Sequence, residues 1–249
     1  MKTISIVAQK GGTGKTSAAL AIAAGLNRNG YSVLAIDLDA QGDFSSTICQ
    51  EPQEMNIADV LQGGNILKAI TAAKTADVIT ADNKLALLKN SGFNDIQALK
   101  KALNPMLLKK YDYCIVDNAP ALDYTTMAAL AASDYALVVT EADLFGYQAY
   151  TKCEDTIALV KQRYNRQIKN LGFIVNRFNP RATINRQFFE LLQDHVKESG
   201  YPILQPIRQS IKIQESQALK EPDIFSYAPK ATVTNDYTAL VDAVIKATK

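Results

Sequence analysis

Long apolar runs are missing from this sequence. No stretch of eighteen apolar residues occurs, and a helix needs about twenty to cross a bilayer, so no membrane span is expected. Cysteine is scarce as well: Cys49, Cys114 and Cys153 stand far apart and form no C-x-x-C pair. That argues against zinc or an iron–sulfur cluster and fits free structural thiols in a reducing compartment. The one histidine, His195, falls in a polar amphipathic stretch and is expected as a solvated side chain, not a catalytic base. A glycine-rich loop arrives within about ten residues of Met1, so neither a signal peptide nor an N-terminal helix-turn-helix unit is expected, and a cytoplasmic location is.

What is present is enough apolar material for a large core. The 249 residues are 47% hydrophobic, and strands alternate with helices along the chain, which favours a single α/β domain spanning residues 1–249. Net charge is only +2, but it is unevenly spread: residues 111–160 carry one basic and eight acidic groups, whereas residues 161–230 carry twelve basic and six acidic.

The most informative stretch is Gln9-Lys10-Gly11-Gly12-Thr13-Gly14-Lys15-Thr16-Ser17. Before it, residues 3–8 form a β-branched run that reads as a buried parallel strand; after it, residues 18–26 are strong helix formers. In a strand–glycine loop–helix unit, Gly11, Gly12 and Gly14 let the backbone turn its N–H groups, that of Thr13 among them, onto phosphate at a helix N-terminus. Lys15 would reach the β and γ oxygens, Thr16 would ligate Mg²⁺, and Ser17 would hydrogen-bond the α-phosphate. The general form G-x-x-x-x-G-K-[ST] is not met, because position 9 is Gln, and an additional lysine, Lys10, precedes the glycines.

Two more strand ends carry carboxylates. Residues 32–36 lead into Asp37-Leu38-Asp39-Ala40-Gln41-Gly42-Asp43, and in a doubly wound sheet the carboxyl ends of the strands form the ligand crevice, so Asp37 and Asp39 arrive beside the phosphate loop to handle Mg²⁺ or water. Tyr111-Asp112-Tyr113-Cys114-Ile115-Val116-Asp117 is an apolar strand closing on one carboxylate, the Walker B form, and Asp117 would hold Mg²⁺ through a water. Elsewhere the periodicity predicts helices over residues 57–61 (opened by Asn56 and stopped by Gly63-Gly64), 66–73, 96–108 (distorted at Pro105), 124–132 (capped by Asp123), 146–164 and 237–248. Strands are expected over 134–140, 168–175 and 202–204, with short strand material around an Asp82-Asn83 turn within 77–88.

Taken together, these segments resemble the ParA/MinD superfamily of P-loop ATPases with a deviant Walker A box, over residues 2 to about 246. The resemblance implies a doubly wound, mostly parallel twisted sheet flanked by helices on both faces, binding ATP and Mg²⁺. It implies that Lys10 reaches across an ATP-bound homodimer to the partner's nucleotide, that Asp39 orients the attacking water, and that Asp37 supports the metal's water shell. Asn176, at a strand end, matches the family's adenine-reading asparagine; a strand-ending turn residue is the other reading. Pro206, with Ile207 and Arg208, resembles the segment whose backbone packs on the base. Departures are Ala40 for proline and Asp43 for asparagine in the second motif, and Asn118-Ala119-Pro120 where Thr-Pro-Pro is commoner.

In partition ATPases of the family a basic surface binds non-specific double-stranded DNA in the ATP-bound dimer. Here Arg181, Arg186, Arg208, Lys212, Lys220 and Lys230 lie in helices and loops that follow strand ends; several such cations suffice for salt-sensitive, sequence-independent binding, and a solvated face is the competing account. The resemblance further implies slow turnover stimulated by a ParB-like adaptor, and a cytoplasmic, nucleoid-associated protein that positions or segregates DNA cargo. The last helix has one apolar side and too few basic and bulky groups for a membrane anchor. A MinD-like or assembly-type switch acting on protein or membrane partners stays open.

Overall fold

The alternation of apolar strands and helices closes into one eight-stranded sheet in a computed structural model that describes residues 1–49, 51, 53–103 and 105–249. In chain order the first half comprises β1 (Lys2–Val7), α1 (Lys15–Arg28), β2 (Val33–Leu38), α2 (Asp43–Ile48), α3 (Ile57–Leu61), β3 (Ile70–Thr71), β4 (Asp77–Ile79), α4 (Asn83–Asn90), α5 (Ala98–Ala102) and α6 (Pro105–Lys110). There follow β5 (Tyr113–Asn118), α7 (Tyr124–Ala132), β6 (Tyr135–Glu141), α8 (Leu144–Arg163), β7 (Lys169–Phe178), α9 (Thr183–Ser199), β8 (Ile203–Arg208), α10 (Ile211–Ala218), α11 (Ile224–Tyr227) and α12 (Thr232–Ala247).

The strand order is β3-β4-β2-β5-β1-β6-β7-β8, parallel throughout except where β3 runs against β4. Alternation along each strand decides which helices cover which face. Ile4 and Ile6 of β1, Ala35 of β2 and Ile115 of β5 pack with α1 and α12 on one side. On the other side Leu34, Ile36, Cys114 and Val116 pack with α3 to α7, and Val7, Val138 and Phe173 with α7 to α9. The expected doubly wound sheet with helices on both faces is therefore the observed architecture. In α12, Leu240, Val241 and Val244 are buried in the core, and among the described residues no helix is long and apolar enough to cross a membrane.

Several local expectations are corrected. Residues 66–73 are a 3₁₀ turn, Ile66–Lys68, followed by β3, because pairing with β4 wins over the short helical pattern. Residues 83–90 are helical, not strand: Asp82 caps α4 by accepting from Lys84 N at 2.7 Å. The 96–108 helix is split into α5 and α6, with Pro105 at the first position of the second, where its missing N–H is harmless; Asn104 lies outside the described residues. The last helix starts at Thr232, not Tyr237. His195 is not solvated: it falls on the inner stripe of α9 with Leu192, its Nε2 stands 2.7 Å from Glu154 Oε2, and its ring meets Tyr150 edge-on. Asn56 and Asp123 cap α3 and α7 as expected.

Because β1 is flanked by β5 and β6, and the chain leaves it in both directions, the carboxyl ends of β1, β2, β5, β6 and β7 converge at the switch point of the sheet.

Candidate functional site

Two steps of the turn between β1 and α1 require glycine. Gly12 (φ 77°) and Gly14 (φ 85°) adopt left-handed backbone. At Gly14 there is also no room for a side chain, since a Cβ would stand 2.0 Å from Asn176 Nδ2. Asn176 is in turn seated on the loop: it is buried near the end of β7 and donates from Nδ2 to Thr13 O at 2.6 Å. The helix α1 begins at Lys15 without a side-chain cap, so the N–H groups of its first turn are available to an anion. Gly12, Thr13, Gly14, Lys15, Thr16 and Ser17 line a cleft of about 490 Å³, within the range of roughly 300–1,000 Å³ usual for small-molecule sites. Gly11 has open space on its Cβ side.

Behind Lys15 and Thr16 of the cleft wall lies the end of β5, with Asp117 buried there. Lys15 Nζ lies 2.7 Å from Asp117 Oδ1, and Thr16 Oγ1 donates to Asp117 Oδ2 at 2.8 Å. Burial pushes the Asp117 carboxyl up, against the pull of the Lys15 ammonium. A hydroxyl and a carboxylate held together in this way fit Mg²⁺, which is bound through one or two carboxylates and completes its octahedron with phosphate and water. Among the described residues no group of three or more His, Cys, Asp or Glu side chains gathers to hold a metal alone, so a metal here needs oxygens from a ligand.

The two aspartates after β2 divide. Asp39 is half-buried and lines the cleft; its Oδ1 accepts from Gln41 N at 3.1 Å. Asp37, expected near the metal, is wholly buried and does not line the cleft. Its Oδ1 accepts from Asp39 N at 2.9 Å, and its Oδ2 from Ser45 N and Ser45 Oγ at 2.9 and 2.7 Å. Burial and the neighbouring Asp117 charge raise its carboxyl. Asp37 thus ties the turn that presents Asp39 to the first turn of α2.

A second cavity, of about 240 Å³, opens beside the first and shares Gly14, Ser17, Arg177 and Gln217 with it. Asn176, Ile207, Ile213 and Tyr237 supply walls on which a flat ring could rest. Pro206 does not line it. The strand β8 runs on to Arg208, so Pro206 lies inside an edge strand, the place in a sheet where proline is tolerated, and the cavity is lined by the next two residues instead.

At the mouth, Lys10 pairs with Glu141 at 3.0 Å and Asp143 at 3.1 Å, from the end of β6 and the N-cap of α8. The Glu141 hydrogen bond, with that of Asp143, holds its ammonium above the usual lysine value. Arg177, in left-handed backbone (φ 50°), also reaches Glu141, at 3.3 Å.

The six cations of the basic segment do not behave alike. Arg181, Arg186, Lys220 and Lys230 are exposed, and no carboxylate among the described residues pairs with them. Lys212 pairs with Glu215 at 2.8 Å. Arg208 is a correction to the expected set: Asp236 grips it at 2.8 and 2.6 Å through Nε and a terminal nitrogen, and Thr232 O accepts a further bond at 3.1 Å, so it straps β8 to α12 and its charge is neutralised. The segment's charge is also divided between the two ends of the sheet. Lys161, Arg163, Arg166 and Lys169, at the end of α8 and the start of β7, sit at the amino end, away from the cleft.

The sequence reading passed over Ser45, Glu141, Asp143, Arg177 and Gln217. For Glu141 and Asp143 a signal existed: two carboxylates at the end of an apolar run, the same arrangement that singled out Asp117.

A family model described as an AAA domain matches residues 1–170. The chain is 31% identical over 254 residues to a ParA family protein of Chlamydia trachomatis serovar D, covering 98% of each. It is 27% identical over 252 residues to the sporulation initiation inhibitor protein Soj of Bacillus subtilis, again covering 98% of each. The crystal structure of cobyrinic acid a,c-diamide synthase from Mycobacterium smegmatis with bound ATP analog and magnesium is similar at a TM-score of 0.84 and 24% identity, over 99% of this chain and 95% of that one; at that identity the likeness concerns the fold.

Proposed function

We propose, from the premise that the chain belongs to the ParA/MinD family of P-loop ATPases, that residues 1–249 act as one MgATP-dependent switch that dimerises on ATP, binds DNA without sequence preference and positions DNA cargo with a ParB-like adaptor. The observation that carries this reading is the continuity of the site. A cleft lined by the glycine loop, Lys15 and Thr16, the last two tied to the buried Asp117, adjoins a second cavity beside Asn176, and a second lysine, Lys10, stands at its mouth.

In this reading the loop N–H groups and Lys15 neutralise charge on the β and γ phosphates. Thr16 and Asp117 would hold Mg²⁺, which would supply positive charge against that developing on the phosphates. Asp39, braced by Asp37, orients the attacking water, and Lys10 completes the site of a partner subunit. The exposed cations Arg181, Arg186, Lys220 and Lys230, with Lys212, meet phosphates of the duplex. The protein is then nucleoid-associated in the cytoplasm while ATP is bound, and hydrolysis resets it.

Binding to random-sequence duplex DNA, measured by fluorescence anisotropy with ATP, ADP or no nucleotide at two salt concentrations, tests the whole chain of steps. The expected result is binding with ATP only, with log K falling against log salt by roughly 0.9 for each phosphate neutralised. Equal binding in all three states overturns the control of DNA binding by ATP; none in any overturns DNA binding itself and leaves protein or membrane partners.

Asp39→Ala separates binding from chemistry. The variant should still bind ATP and dimerise, because the loop, Lys15 and Asp117 are untouched, while turnover falls by on the order of 10²-fold through loss of the water-orienting group. Wild-type turnover in a single-turnover assay removes Asp39 from the catalytic set.

A further inference from the structure

The phosphate cleft and the base-side cavity share four residues, Gly14, Ser17, Arg177 and Gln217. A nucleotide that spans both must pass its sugar through this neck. Three polar side chains stand there, those of Ser17, Arg177 and Gln217, and the Arg177 guanidinium is paired with Glu141 at 3.3 Å. The third, Gln217 near the end of α10, comes from the far end of the chain and donates from Nε2 to Ser17 Oγ at 3.0 Å, across 200 residues of sequence. The Ser17 hydroxyl can donate or accept, so this bond anchors one end of the amide in either orientation. Among the described residues no other hydrogen bond holds the Gln217 side chain.

We infer that Gln217 is the sugar-reading residue of this site, the unanchored end of its amide hydrogen-bonding a ribose hydroxyl and so favouring ribonucleotides over deoxyribonucleotides. The chemistry matches the group. A sugar edge offers neutral hydroxyls that donate and accept, and an amide anchored at one end presents a matching group at the other in either orientation. A cation would suit phosphate better, and an apolar side chain would leave the hydroxyl without a partner. The inference rests on the nucleotide-binding reading and adds the specificity of the middle of the site. It also ties α10 to nucleotide occupancy, since one side chain touches both the phosphate loop and the sugar.

Calorimetric titration of the wild-type chain with MgATP, 2′-deoxy-ATP and 3′-deoxy-ATP tests it directly. ATP should bind tighter than at least one deoxy analogue by about 3- to 10-fold, the span of one neutral hydrogen bond. Gln217→Met keeps the length of the side chain and removes its polar atoms; it should weaken ATP by that factor and leave the same deoxy analogue unchanged, so that the preference disappears. Equal wild-type affinity for all three nucleotides overturns the inference, as does a Gln217→Met variant that keeps the preference. Failure of wild-type protein to bind any of the three would instead refute the nucleotide-binding reading itself.

Discussion

Lys15→Ala is expected to abolish ATP turnover, by on the order of 10² to 10³-fold as for loss of one preorganised charge-stabilising group, and to destabilise the fold as well. The second effect follows from where the lysine sits. Lys15 is 6% exposed and Asp117 is 1% exposed, 2.7 Å apart, so truncating the lysine strands a carboxylate that burial already disfavours. Removing one partner of a buried pair costs about 3–5 kcal/mol, whereas replacing both by neutral groups can cost little. Lys15→Ala/Asp117→Asn should therefore recover most of the lost stability in urea unfolding, while turnover stays absent because both the phosphate cation and the metal carboxylate are gone. A Lys15→Ala protein with wild-type turnover would exclude the lysine from the site. A double variant no more stable than the single one would show that the pair does not carry the stability cost.

That coupling marks the boundary of what the sequence could tell. The strand–loop–helix unit from Lys2 to Arg28 was legible because everything that makes it is local: β-branched residues, glycines at the turns and alanines after them. The caps Asn56 and Asp123 were legible for the same reason. The carboxylates Asp37 and Asp117 were both visible at strand ends, but their different fates were not. Asp37 is taken by Ser45 of a short helix that the pattern did not announce, and Asp117 by a lysine and a threonine 102 and 101 residues away. Residues 66–73 read as a helix because a two-residue strand is created by its partner β4, not by its own periodicity.

Charge was misread in a different way. Counting along the chain treats residues 161–230 as one surface, yet parallel strands joined by helices carry the chain from one end of the sheet to the other with each crossover. The cations at the end of α8 and those around α9 and α10 are consequently at opposite ends, and Arg208 is spent on Asp236. Gln217 could not have been found by any local pattern. Its meaning comes from α10 being folded back over the start of α1.

Lys10 presents the opposite case to Lys15, and its expected effect on turnover is comparable. In one subunit it is held by Glu141 and Asp143, yet its side chain is 37% exposed, and ion pairs at that exposure are worth about 0–1 kcal/mol. On the proposed reading a partner subunit's triphosphate competes with these two carboxylates for the lysine, which can leave them when a nucleotide-loaded partner arrives. Lys10→Ala should then bind ATP within about threefold of wild type, since Lys15 and the loop carry that energy, but should fail to dimerise on ATP and should lose adaptor-stimulated turnover by 10²-fold or more, the scale of a charge supplied in trans. Glu141→Gln works on the same equilibrium from the other side. It loosens the grip on Lys10 without touching the phosphate loop, so ATP-dependent dimers should form at a severalfold lower protein concentration in analytical ultracentrifugation. The pair of variants moving in opposite directions is the result that assigns Lys10 to the partner's site; normal stimulated turnover in Lys10→Ala would leave it as a surface cation paired with its own chain.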